Sequence, residues 1–172
     1  MDENIVDIAP VDGNISRERK PYLSMDVEIS ADGNTMYYCD NEFGDGGGPN
    51  TSNIVIAKRV GDRFENLKNS DELMANINTE LLEYAPAISE DELTFFFTRT
   101  DRQAIMAMQA SSSNDIFVST RRSVDEPFGE PRRLDLPSQF KEAVTIDRDG
   151  RSLYFHMMDR GKFRLFRTQP RQ

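Results

Sequence analysis

Several residues in this 172-residue chain have types and spacings that invite a chemical reading. The most conspicuous is the stretch CDNEFGDGGGPNTSN, residues 39–53, where three consecutive glycines lie among Asp40, Glu42 and Asp45. A phosphate cradle would need G-x-x-x-x-G-K-[ST], which is absent, and Pro49 takes the last glycine place of G-x-G-x-x-G. A calcium loop of the EF-hand type would need a glutamate at its twelfth place, and the spacing here does not supply one. The stretch therefore reads as a long polar hairpin loop, with no metal and no cofactor expected.

His156 is the single histidine and Cys39 the single cysteine. A nucleophilic hydrolase would want a nucleophile elbow, yet no G-x-S-x-G is present. Cys39 has no second histidine to activate it. Both residues read better as strand positions filled by packing. Paired carboxylates offer another chemistry, since two acidic groups flanking a glycosidic bond cleave it by general acid–base or nucleophilic routes. Asp26, Glu28, Glu83 and Glu142 are the candidates for that role. Arg121, Arg122, Arg132 and Arg133 form a small basic cluster that reads as solvated edge charge discouraging sheet pairing. The sequons at Asn14 and Asn50 matter only in a glycosylating host.

Composition narrows the field. A net charge of −9 repels a phosphate backbone, so no nucleic-acid partner is expected. The charge is uneven: residues 1–100 carry 20 acidic and 8 basic side chains, residues 101–172 carry 10 and 13. Such asymmetry usually reflects solvated faces, and it also suits head-to-tail contact between two copies. One cysteine excludes an internal disulfide and any multi-cysteine zinc site. No apolar run approaches the ~20 residues needed to span a bilayer. The acidic start, MDENIVDIAP, is unlike a secretion signal. The expectation is a soluble chain without a signal peptide, periplasmic or extracellular only if cut from an exported precursor.

Elements that would position these residues emerge when the chain is slid along itself. ISADGNTMYYC (29–39), ISEDELTFFFT (88–98) and IDRDGRSLYFH (146–156) align without a gap, at spacings of 59 and 58 residues. Asp-Gly supports a tight turn, and the aromatic run after it suits a strand buried on both faces. Glu92 replaces the glycine in the second copy, which predicts a somewhat different turn there. NIVIAKR (53–59), DIFVSTR (115–121) and RLFRTQ (164–169) supply the next strand of each copy. RFENL (63–67) and PFGEPRRL (127–134) supply a fourth strand in the first two copies only. Between copies, NSDELMANINTELLEY holds a short helical turn expected to be capped by Ser70.

Tandem four-stranded antiparallel sheets buried on both faces describe β-propeller blades. SADGNTMYY, SEDELTFFF and DRDGRSLYF resemble the Ser-x-Asp-Gly-x-x-Leu-Tyr-Phe signature of the WD40-like β-propeller repeat of the TolB type, and NDIFVSTR resembles the strand that follows it. INTELLEYAPAIS resembles that family's linker. The likeness covers roughly residues 25–169 and implies an all-β propeller fold that hosts many functions.

The expected organisation is one all-β domain of three propeller-type blades. Residues 1–24 form an N-terminal extension, 25–80 the first blade, 81–138 the second, and 139–172 a third lacking its last strand. Three blades do not close a ring, so the chain is either part of a larger propeller or half of a six-bladed homodimer. NIVDIAPV (4–11) is expected as a strand able to complete the third sheet. The expected function is non-catalytic binding of a protein partner or a small ligand, carbohydrate included. Asp40, Glu42, Asp45, Arg99, Asp101 and Arg160, in or beside the loops joining second and third strands, are the candidate contacts. The rival reading is a carbohydrate-active hydrolase, or the propeller part of one.

Overall fold

The computed structural model describes residues 9–17, 19–45, 48–107 and 114–168. Three antiparallel meanders follow one another. The first blade consists of β1 (Tyr22–Ile29), β2 (Thr35–Phe43), β3 (Pro49–Val60) and β4 (Arg63–Asn66). The second is β5 (Leu82–Ile88), β6 (Thr94–Thr100), β7 (Asp115–Thr120) and β8 (Arg132–Arg133). The third is β9 (Lys141–Ile146), β10 (Leu153–Asp159) and β11 (Lys162–Arg167). A single parallel pairing, Ser52 with Leu82, joins the first two blades.

The repeated signature builds the same turn three times. In the first copy Ser30 Oγ donates to Asp32 Oδ1 at 2.6 Å, and the Thr35 amide donates to Ser30 Oγ at 2.8 Å. Ser89, Asp91 and Thr94 repeat this geometry at 2.6 and 2.9 Å. In the third copy Asp147 takes the serine's place, accepting from the Ser152 amide at 3.0 Å. The left-handed position is Gly33 (φ 76°), Glu92 (φ 57°) and Gly150 (φ 69°). The second turn thus keeps the backbone of the others, contrary to expectation. Glu92 tolerates a φ that costs an L-residue about 1–2 kcal/mol, because its carboxylate is held by the first blade. Thr35 Oγ1 donates to it at 3.1 Å and the Tyr37 hydroxyl at 2.8 Å.

The aromatic runs bury alternate residues against opposite neighbours. Tyr37, Cys39, Ile54 and Ile56 of the first blade meet Phe95, Phe97 and Phe128 of the second. Phe96, Ile116 and Val118 on the other side meet Val144, Phe155 and Met157 of the third. Arg121 braces the first junction: its guanidinium lies 4.3 Å from the Phe128 ring centroid, and Nη2 donates to the Tyr37 hydroxyl at 3.0 Å. It is a buried strut, not the solvated edge charge expected of it; Arg122, Arg132 and Arg133 are exposed.

The two ends of the arc differ. On the outer flank of the first blade, Met36, Tyr38, Ala57 and Phe64 are covered by Ile15. The segment bearing Ile15 is pinned there by the Phe64 amide donating to the Asp12 carbonyl at 2.9 Å and the Asn66 amide to Asn14 Oδ1 at 2.7 Å. On the outer flank of the third blade, Tyr154, Phe163 and Leu165 stay exposed, Leu165 by 83%. Most of the strand expected over residues 4–11 lies outside the described residues.

Helix α1 (Ser70–Leu73) occupies the inter-blade linker, but Ser70 does not cap it. Its hydroxyl instead accepts the Ile56 amide at 2.8 Å, satisfying a backbone donor of β3. A second short helix, α2 (Arg102–Ala107), begins the connection from β6 to β7.

Candidate functional site

Each innermost strand carries an irregularity at the same place. Asp26 (φ 53°), Ala85 (φ 51°) and Ala143 (φ 55°) adopt the left-handed region at the repeat spacing, and each marks a register shift in its strand pair. Non-glycine residues persist there only when surrounding structure fixes them, and a bulge re-aims the side chains around it. The fixing groups are visible. The Ala85 amide donates to Asp26 Oδ2 at 3.3 Å and engages Cys39, while the Ala143 amide donates to Thr98 Oγ1 at 3.3 Å. Cys39 and Thr98 share a repeat column with His156, so this column receives the bulge amide of the following blade. At His156, in the last described blade, the side chain turns instead to Glu142, with Nε2 to Oε1 at 2.9 Å.

These bulges surround a cavity of about 370 Å³ at the end of the arc where the innermost strands begin. Its apolar walls include Met25, Phe43, Leu82 and Phe140, and Ile105 of α2 reaches it. Its polar groups include Asp26, Tyr84, Glu142 and His156. The Tyr84 hydroxyl donates to Glu142 Oε2 and is itself held by Asn114 Nδ2 at 3.0 Å. Asn114 in turn donates to the Lys141 carbonyl at 2.8 Å, which locks the tyrosine to the start of β9. Apolar walls around a few converging polar groups are the usual make-up of a small-ligand pocket, and the volume falls in the customary range of about 300–1,000 Å³.

The cavity is acidic, with Glu142 half-buried and Asp26 exposed. Desolvation raises the Asp26 carboxyl above its ordinary range, and the neighbouring Glu142 charge raises it further. Burial first, then the Glu142 charge, pushes the Tyr84 phenol well up, so it remains a hydrogen-bond donor. Burial likewise keeps the Cys39 thiol protonated, which leaves it without nucleophilic character.

None of the six loop candidates lines this cavity. Asp40 and Glu42 lie within β2, because the strand runs on to Phe43 and β3 already begins at Pro49. Asp40 pairs with Arg17 beside the first blade, away from the second. Asp45 is exposed at the tip of the shortened hairpin, and Arg160 is exposed in the β10–β11 turn. Arg99 is an internal brace, bonding Glu83 at 2.8 Å and the Ile77 carbonyl at 2.7 Å. Asp101 is half-buried just before α2. Of the four carboxylates weighed for hydrolysis, Glu83 is fully buried in that ion pair, whereas Asp26 and Glu142 face the same cavity. Glu28 lies beyond the bulge, accepting from the Ile88 amide at 3.5 Å.

Tyr84 and His156 were not legible as site residues. Repeat alignment puts His156 in the column of Cys39 and Thr98, and does not reveal that its side chain turns to Glu142. The usable signal was Glu142 itself, an acidic residue in the column occupied by Met25 and Tyr84.

A solved structure shares this architecture. A protein described as TolB from Agrobacterium tumefaciens superposes with a TM-score of 0.54 at 23% identity, over 84% of this chain and 42% of that one. The chain therefore spans less than half the length of that relative. A thermostable family-43 glycoside hydrolase matches with a TM-score of 0.39 at 11% identity, over 83% of this chain and 57% of the other. No protein-family model matches the sequence, and no curated protein matches it. The fold is an all-β, propeller-type arrangement like that of the TolB structure.

Proposed function

We propose that this chain is a non-catalytic binding module whose recognition site is the cavity among β1, β5 and β9. The observation that carries the reading is the conjunction in one concavity of apolar walls with the Tyr84–Glu142–His156 network and Asp26. The three bulges hold these groups on rigid strands, so the site is formed before anything binds, which lowers the ordering cost of association. A small ligand, or one side chain of a protein partner, fills it. Asp45 stands in the turn flanked by the wall residues Phe43 and Pro49, and Asp101 just before the helix that carries Ile105; both are proposed as rim contacts. A six-bladed homodimer would have to seat the bare flank of the third blade on a flank that Ile15 already covers, so the proposal concerns the single chain.

Backbone amide shifts recorded against a panel of small fragments test this. Binders should cluster their perturbations on Met25, Ala85 and Ala143; perturbations confined to the β2–β3 hairpin or the β10–β11 turn would refute it.

A second reading, glycoside hydrolysis, draws on one observation: a carboxyl raised by desolvation, Asp26, lines the same cavity as the hydrogen-bonded carboxylate Glu142. Turnover of aryl glycosides that Asp26→Asn abolishes would establish it over the binding reading.

A further inference from the structure

The carboxylates of this chain that are buried or half-buried differ in the partners they find, and four of them meet a basic side chain. Glu83 is paired with Arg99 at 2.8 Å, Asp115 with Lys141 at 2.6 Å, Glu92 with Arg121 at 3.9 Å, and Asp40 with Arg17. Asp26, Glu28 and Glu142, all on innermost strands, have no Lys or Arg within ion-pairing distance among the described residues. Lys141 stands next to Glu142 in sequence but points the other way, its ammonium spent on Asp115 and the Asn114 carbonyl. Glu142 has only a phenol and an imidazole as partners, and Asp26 only a long backbone bond and the Cys39 thiol.

Glu142 is half-buried and Asp26, exposed, faces the same cavity. Withdrawing a carboxylate from water without a counter-charge is costly, and at Glu83, Asp115, Glu92 and Asp40 a basic side chain offsets that cost. Here the place such a side chain would occupy is an open cavity with apolar walls. Resting on the binding reading above, we infer that the cavity takes a cation with an apolar stem: an ammonium or guanidinium group directed at Asp26 and Glu142, its hydrocarbon lying along Met25, Phe43, Leu82 and Phe140. The site supplies acceptors only at its charged end, since the Tyr84 proton is committed to Glu142. An anion would meet two carboxylates, and a neutral polar head would leave them unpaired. A lysine or arginine side chain of a protein partner has this chemistry, and so does a free alkylamine.

Three isosteric probes separate the outcomes: n-hexylammonium, n-hexanol and n-hexanoate, titrated by calorimetry with amide shifts recorded in parallel. Hexylammonium should bind at least tenfold more tightly than hexanol, hexanoate should not bind, and the advantage should shrink with salt. Asp26→Asn and Glu142→Gln, each checked for an unchanged urea midpoint, should each remove most of that advantage while leaving hexanol affinity alone. Either variant suffices if the other fails to fold. Equal affinities for ammonium and alcohol, with shifts at Ala85 and Ala143, would overturn the charge assignment and leave the binding site standing. Absence of shifts there with every probe would overturn both. N-acetyl-lysine amide set against hexylammonium distinguishes the sources: tighter binding of the lysine derivative assigns a peptide partner, weaker binding a free amine.

Discussion

Replacing Glu92 by glycine sets two physical effects against each other at one position. Glycine is what the first and third copies carry there, and it relieves a left-handed φ of 57°, a gain of about 1–2 kcal/mol. By that measure alone the change stabilises. The structure predicts the reverse. Glu92 accepts hydrogen bonds from Thr35 Oγ1 and the Tyr37 hydroxyl across the junction of the first two blades. Bonds to a charged group contribute about 1.5–3 kcal/mol each. The same carboxylate faces Arg121, whose side chain is only 2% exposed. Losing two such bonds against one relieved dihedral leaves a net destabilisation of about 3 kcal/mol. For a chain of this size that corresponds to a fall in Tm of roughly 6–12 °C. Urea unfolding followed by tyrosine fluorescence and far-UV dichroism should show a lower midpoint with an unchanged slope. Glu92→Gln, which keeps an acceptor and removes the charge, should fall between the two. A glycine variant as stable as the parent, or more stable, would refute the claim that Glu92 ties the blades together.

Arg99→Met should cost about 3–5 kcal/mol, because it leaves the fully buried Glu83 charge with Thr79 alone; a urea midpoint near that of the parent would contradict this. Asp32 and Asp147 are held down to about 2, the first chiefly by the Ser30 hydroxyl and the second chiefly by the Ser152 amide. Folded values below the ordinary 3.8 mean that their stabilisation is present above pH 4 and is lost as the pH falls towards 2. The double variant Asp32→Ala/Asp147→Ala should therefore lose stability at pH 6 and show a shallower acid limb between about pH 4 and 2. Leu165→Asp should change stability by less than about 0.5 kcal/mol while reducing binding of a hydrophobic dye, since Leu165 is 83% exposed on the bare flank of the third blade.

Much of the architecture was readable because the repeat states it three times. The Ser/Asp turn and the doubly buried aromatic runs of the first two copies follow from aligned columns. What escaped was residue use that composition disguises. Residues 39–53 read as loop because they are polar, yet most of them extend β2 and β3. Asn41 is buried there by donating to the Leu23 and Cys39 carbonyls, and Ser52 by donating to the Glu83 carbonyl. Arg121 looked like edge charge because its partners, Tyr37 and Glu92, lie 84 and 29 residues away. The cavity was illegible for a related reason. Its lining is assembled from positions where the copies differ, Met25, Tyr84 and Glu142 occupying one column, and repeat logic discounts such positions.

The absence of tryptophan from the chain allows a direct test of the recognition site. Met25 lines the cavity and is 46% exposed, so Met25→Trp places a single indole at its mouth without disturbing a packed core. Titration of this variant with n-hexylammonium should give a saturable change in indole emission, with the same affinity in calorimetry and loss of both signals on adding Asp26→Asn. Calorimetric binding with no change in emission would place the ligand elsewhere and contradict the account.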